Sequence, residues 1–188
     1  MTITELSEWT LEKYLELPEG PPHFEYEDGE LIPMTTPMPD HQDLADEMIH
    51  AIKSYLKTHR LGRAYREVGL LLPQGQAYVP DIAFLATANL DLLAADGKIR
   101  GVPDLVVELT SQNIARDTIH KYKVYEENGV PWYWVANSRT LEFDVYRLNG
   151  GTFVLASHTD RVSDFRPTVF PELVLNLEQL LDMVGESP

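Results

Sequence analysis

Cysteine is absent from the 188 residues, so the chain has no disulfide framework and no thiolate metal site. Any metal it holds must sit among oxygens and imidazoles. Long apolar runs are missing as well. None approaches the roughly 18 to 20 residues that a membrane span needs, and the opening MTITELSEWT has no signal-peptide pattern. The expectation is a cytoplasmic protein with no membrane partner. A Gly-rich phosphate loop and a nucleophile elbow are also lacking, which argues against nucleotide-cradling and serine-hydrolase chemistry. Positive charge is scarce: 15 Lys and Arg face 30 Asp and Glu, for a net charge of −15. A field of that sign opposes nucleic acid at long range.

What is present is an ordinary globular composition, 44% apolar and 24% charged. The length suits one domain spanning residues 1–188. The charge is unevenly distributed. Residues 1–52 hold thirteen acids and one base, Lys13. Lys53, Lys57, Arg60, Arg63 and Arg66 then follow with no acid between them. They read either as a solvated helix end complementing the helix dipole or as a phosphate-contacting patch.

Periodicity organises the chain into alternating elements. Thr4–Leu17 has a ragged helical period, with Thr4 or Ser7 as its cap and Pro18-Glu19-Gly20-Pro21-Pro22 as its stop. Phe24–Met34 reads as a hairpin around Asp28-Gly29. A helix runs from about Asp40 to His59, closed by Gly62. Three strands follow, Ala64–Leu72, Tyr78–Leu85 and Leu105–Thr110, with a short helix and loop in Asn89–Gly101. Ile114–Asn128 is a helix ended by Gly129. Trp132–Ala136 is a strand, Leu141–Arg147 and Thr152–Ala156 form a hairpin, and Leu177–Met183 closes the chain as a helix. This order implies an α/β fold, a mixed β-sheet flanked by α-helices.

Two apolar runs carry acids where charge is costly. Asp81 follows Pro80 inside Tyr78–Leu85, and a proline there bends, bulges or edges a strand. Alone, Asp81 reads as a residue that caps or turns the chain. In Leu105-Val106-Val107-Glu108-Leu109, alternation places Glu108 with Val106 and opposite Leu105, Val107 and Leu109. Alone, Glu108 reads as a rim residue. On the following helix Asp117, Lys121 and Tyr125 fall at steps of four along one stripe, whereas Lys123 lies about 200° around the helix from Lys121. Two acids and a lysine brought together would make a divalent-metal site beside a cation, which is equipment for phosphodiester hydrolysis. His41 reads as a helix-start residue or an outer-shell donor. His50 and His59 have no partners at ligand spacing. In Trp132-Tyr133-Trp134 the two indoles share a face opposite Tyr133; core or subunit packing competes with base stacking.

Taken in order, these segments resemble the Uma-type restriction endonuclease family, a branch of the PD-(D/E)XK nuclease superfamily common in cyanobacteria. The resemblance rests on Phe24-Glu25-Tyr26-Glu27-Asp28-Gly29-Glu30-Leu31, His41, Val79-Pro80-Asp81-Ile82-Ala83, Leu105-Val106-Val107-Glu108-Leu109-Thr110-Ser111, Arg116-Asp117 with Lys121 and Tyr125, and Gly129-Val130-Pro131-Trp132-Tyr133-Trp134-Val135. It covers about residues 24 to 135. The chain departs from the pattern at Thr110, where the superfamily's lysine usually stands, at Trp132 and at Asn137.

The resemblance implies a restriction-endonuclease-like fold and a Mg²⁺-dependent endodeoxyribonuclease, with Mn²⁺ as a substitute metal and DNA as the partner. Asp81, Glu108 and Lys121 would be catalytic, the lysine having migrated from the strand to the helix. Asp81, Glu108 and the Leu109 backbone carbonyl would hold the metal, and Glu25, Glu30, His41 and Asp117 are candidate outer-shell groups. Lys53, Lys57, Arg60, Arg63 and Arg66 are candidate nucleic-acid contacts. A homodimer is expected from the pairing habit of restriction-type enzymes and from the aromatic strand. Two rival readings stand beside it: a catalytically silent binding or assembly protein, favoured by the −15 charge, and a hydrolase of a smaller phosphoester.

Overall fold

The computed structural model describes residues 9–18, 20–110 and 114–185, and for 114–118 and 182–185 the backbone alone. Of the helix expected over Thr4–Leu17, the described residues show α1, Leu11–Leu15, capped by Thr10, whose hydroxyl accepts from the Lys13 N–H. Thr4 and Ser7 lie outside the described residues. The Asp28-Gly29 hairpin forms between β1, Phe24–Glu27, and β2, Glu30–Pro33. Both turn residues have positive φ, 46° and 85°, the two-residue geometry that matches strand twist.

Helix α2, Pro39–His59, opens on proline and buries Leu44, Met48, Ile49, Ile52 and Leu56 along one face. It ends at His59, as expected, but its stop is Arg60 and not Gly62. Arg60 adopts the left-handed conformation, φ 52°, and its N–H reaches the Leu56 carbonyl. Gly62 instead opens strand β3, Gly62–Arg66, opposite Ala86.

The two long strands expected at Ala64–Leu72 and Tyr78–Leu85 are each divided in two. The first becomes β3 and β4, Leu70–Leu71; the second becomes β5, Ala77–Tyr78, and β6, Ile82–Ala86. Together they form one hairpin that bends from one sheet into another. β3 pairs with β6, β4 pairs with β5, and the corner is held by Glu67 N–H donating to the Asp81 carbonyl at 3.1 Å. Pro80 lacks the donor that a continuous ladder would use there, and Glu67 takes a positive φ of 49° to make the opposite bend. Asp81 is thus placed at the seam where the sheets part.

Beyond the 3₁₀ turn Thr87–Leu92 lie β7, Ile99–Arg100, and β8, Leu105–Thr110. Helix α3, Ile114–Glu127, crosses over to β9, Trp132–Asn137, which runs parallel to β8. Strands β10, Phe143–Asn149, and β11, Thr152–Thr159, form the last hairpin, and α4, Leu177–Gly185, packs beside α2. The larger sheet has the order β11-β10-β9-β8-β6-β3 and the smaller β2-β1-β5-β4-β7. Both are mixed, because β8 with β9 and β4 with β7 are parallel.

Alternation along the large sheet separates two cores. Ile82, Phe84, Leu105, Val107, Leu109 and Trp134 face α2. Ala83, Leu85, Val106 and Tyr133 face the other way, onto α3 and the small sheet, with Tyr78 and Tyr125. Glu108 continues the Val106 face and so points between α3 and the small sheet. The aromatic strand is core: Trp134 and Tyr133 are buried, and only Trp132 is half-buried, with Arg147 6.0 Å from its ring. The aromatics therefore offer no exposed dimerisation surface, which removes that motive for a homodimer. No helix among the described residues is long and apolar enough to cross a membrane.

Candidate active site

At its Glu108 end, β8 outruns its neighbour. β6 pairs with β8 only from Phe84–Leu105 to Ile82–Val107, because the chain leaves the large sheet at Pro80-Asp81. The Leu109 N–H, released from that ladder, donates instead to Asp81 Oδ2 at 2.6 Å. The broken ladder therefore fixes Asp81 next to the strand that carries Glu108. Both acids line one cavity of about 460 Å³.

Helix α3 delivers the cation. Lys121 Nζ donates to Glu108 Oε1 at 3.2 Å and to Glu25 Oε1 at 2.9 Å. One turn later, Tyr125 donates its hydroxyl to the same Glu108 oxygen at 2.7 Å. The stripe that joins Lys121 and Tyr125 thus clasps one carboxylate. Lys123, on the other side of the helix, is exposed and pairs with Glu127 at 3.8 Å. The side chain of Asp117 lies outside the described residues, as does Ser111.

From the small sheet, β1 turns Glu25 and Glu27 inward. Glu25 also accepts from the Val79 N–H at 3.1 Å, tying β1 to the Pro80-Asp81 corner. Glu30 is exposed on β2 and does not line the cavity. His41, in the first turn of α2, is buried with Nε2 3.2 Å from Asp81 Oδ1. It is therefore neither a surface residue nor a simple helix start. The stretch Ile32–Met38, from the end of β2 to the start of α2, forms a largely apolar part of the cavity lining.

Electrostatics follow from this crowding. Burial pushes the Glu108 carboxyl up; Lys121 pulls it back and Asp81 and Glu25 push it further, leaving it at about 7. Burial works to lower Lys121, but Glu108 and Glu25 outweigh it and hold the ammonium above the ordinary lysine value. Lys121 is thus a fixed cation and no proton acceptor at neutral pH. The hydrogen bond to Asp81 raises His41, with the Leu109 carbonyl and Glu108 adding to it against desolvation.

The donor set fits a hard divalent cation. Asp81 and Glu108 are oxygen donors whose mutual repulsion such an ion would relieve. Two buried atoms of residues that line the cavity, His41 Nδ1 and Tyr133 Oη, have no protein partner. Among the described residues no group of three or more His, Cys, Asp or Glu side chains is placed to hold a metal ion, so the two acids alone would not complete its shell. An ion here would keep several waters, the habit of Mg²⁺.

Three contributors escape a reading by sequence. Glu27, Tyr78 and His120 line the same cavity: Tyr78 donates to Glu27 Oε2 at 2.7 Å, and His120 Nε2 lies 2.5 Å from both Glu27 oxygens. Period-two alternation in β1, with Glu25 and Glu27 on one face and Phe24 and Tyr26 on the other, was the available signal for Glu27. The five bases stand elsewhere. None lines the cavity; Lys53 and Arg66 border a second hollow, and Arg66 is ion-paired with Asp46 and Glu67. His59 stacks on Tyr55, and His50 contacts Ser54. A second Pro-Asp pair, Pro103-Asp104, is structural, since Asp104 accepts from the Ala86 N–H and from Asn89.

Comparison with known proteins agrees with this architecture. A crystal structure titled "putative nuclease belonging to DUF820", from Anabaena variabilis, superposes with a TM-score of 0.75 over 92% of this chain and 97% of that one. At 24% identity, that likeness establishes the fold. No curated protein matches the sequence. The family model that matches residues 11–178 is Uma2, described as "Putative restriction endonuclease", and by that match the chain belongs to the Uma2 family.

Proposed function

We propose that this protein is a Mg²⁺-dependent endonuclease that hydrolyses DNA phosphodiester bonds at the Asp81, Glu108, Lys121 site. The observation that carries the reading is Lys121 reaching Glu108 from the helix after β8, in the cavity that Asp81 also lines. Asp81, Glu108 and the Leu109 carbonyl would hold Mg²⁺, or Mn²⁺ in its place, which supplies Lewis-acid polarisation of the scissile phosphate. Lys121 stabilises the extra negative charge that develops on the phosphoryl oxygens as water attacks. Glu25 keeps the ammonium in position, and Tyr125 holds the Glu108 carboxylate toward the cavity. His41 orients Asp81 through its second oxygen.

Nicking of supercoiled DNA by the purified protein, with Mg²⁺ or Mn²⁺ and without, tests this reading. The expected result is metal-dependent nicking that Glu108→Ala abolishes. An inactive wild type, or a Glu108→Ala variant that cuts equally well, overturns it. Sedimentation at micromolar concentration tests the homodimer that two-strand cleavage calls for.

A second reading, a hydrolase of a smaller phosphoester, has one observation in its favour. Lys121 is the only lysine or arginine among the described residues that line the cavity, and carboxylates surround it. A duplex carries a row of phosphates that would need more cations than that. Turnover of a model diester without salt-sensitive DNA binding selects this alternative.

A further inference from the structure

We propose that His120, held by Glu27, is the general base that takes a proton from the attacking water. The inference rests on the hydrolase reading above and adds a residue that neither the acid pair nor the lysine supplies. Glu27 is buried, on the inward face of β1, and one of its oxygens is occupied by the Tyr78 hydroxyl. Burial and Glu27 push that hydroxyl well above the ordinary tyrosine value, so Tyr78 serves only as a donor. The carboxylate is thereby fixed in place, and His120 Nε2 sits against both its oxygens.

In the neutral ring, a carboxylate that receives Nε2–H leaves the lone pair on Nδ1. The His120 side chain is half exposed (51%), whereas Glu27 beneath it is 8% exposed. One end of the ring is anchored in protein, and the half-exposed ring lines the cavity. The competing groups are either committed or buried: His41, held by Asp81 through Nε2, has its unpartnered Nδ1 buried. Lys121 is a protonated ammonium between Glu25 and Glu108, Asp81 is bound by the Leu109 N–H and His41, and Glu108 is bound by Lys121 and Tyr125.

The step balances without a further reactant. Water's oxygen bonds to phosphorus while its proton moves to Nδ1; the bond from phosphorus to the leaving oxygen breaks, and that oxygen takes a proton from solvent. The imidazolium then returns its proton to solvent, and no group is oxidised or reduced. Tautomer control by a buried carboxylate is the same device that serves other carboxylate–histidine pairs.

Nitrogen-resolved NMR of the imidazole rings and kinetics of His120→Ala and Glu27→Gln test the assignment. The wild-type ring should be the Nε2–H tautomer, Glu27→Gln should mix the tautomers, and inorganic phosphate should shift Nδ1. His120→Ala should lose about 100-fold in kcat, with little change in KM, unchanged calorimetric Mn²⁺ binding and partial rescue by added imidazole. An Nδ1–H ring in the wild type, or full activity of His120→Ala across pH 5 to 9, overturns this proposal alone. A wild type without hydrolytic activity overturns the hydrolase reading and this proposal with it.

Discussion

Lys121 Nζ lies 3.2 Å from Glu108 Oε1 across a strand-to-helix connection, thirteen positions along the chain. Two positions after Glu108 on its own strand stands Thr110, a half-buried residue whose hydroxyl reaches the Ala136 carbonyl at 3.5 Å. The helix therefore supplies the charge that the strand does not. An ammonium acts through where it arrives, so either backbone origin serves.

Replacing that lysine strands two buried acids. Lys121→Met should destabilise the fold by about 3 to 5 kcal/mol at pH 7.5, the usual result of removing one partner from a buried pair. Urea unfolding reads the loss. The double variant Glu25→Gln, Lys121→Met should recover part of it, and an unchanged urea midpoint for Lys121→Met would refute the coupling.

Glu108 carries a pH signature. Its folded carboxyl sits at about 7 against an ordinary 4.5, so the folded state binds the proton more tightly. The stabilising effect of the protonated form is complete below about pH 4.5 and is lost as pH rises through 7. The full cost of ionisation is on the order of 3 kcal/mol. Glu108→Gln should therefore gain stability relative to wild type as pH rises from 5 to 8, while losing divalent-ion binding and nicking. Parallel unfolding curves for the two proteins across that range would contradict the assignment.

Tyr125→Phe removes the shortest hydrogen bond to Glu108 and leaves packing almost unchanged. The expected stability loss is about 1 to 3 kcal/mol, because a buried carboxylate loses a donor. Activity should fall with it while Mn²⁺ still binds. Calorimetry and unfolding on the same sample separate these effects, and an unaffected rate would show that Tyr125 has no part in placing the carboxylate.

Gly62 tests the bent hairpin directly. A Cβ at this position would overlap the Leu85 carbonyl oxygen and crowd Ala86 and Phe84. Gly62→Ala should cost at least about 3 kcal/mol or prevent folding. Thermal unfolding measures it, and a normal melting temperature would mean that β3 and β6 separate freely.

Much of this protein was legible before any coordinates. Asp28-Gly29 announces its hairpin because few residues tolerate two positive φ values in succession. The stripe of Leu44, Met48, Ile52 and Leu56 announces α2, and alternation around Val106 assigns Glu108 to its face. Asp81 and Glu108 were identifiable as candidates because charge in apolar strands demands a partner, Lys121 because it shares a helical stripe with Asp117 and Tyr125, and Glu25 only through the family resemblance. The bend at Pro80-Asp81 was less legible: Ala64–Leu72 and Tyr78–Leu85 read as continuous strands, since both halves of each are equally apolar.

The chain's own pattern determined which elements form and which faces they bury, because local sterics and the 3.6- and 2-residue periods act over short distances. Only the folded structure decided which charges meet. His41 reaches Asp81 from helix α2, Glu27 and His120 join from elements 93 positions apart, and Lys53, Lys57, Arg60, Arg63 and Arg66 do not line the cavity. Such pairings depend on how two sheets diverge at one corner, a long-range relation that no local period encodes.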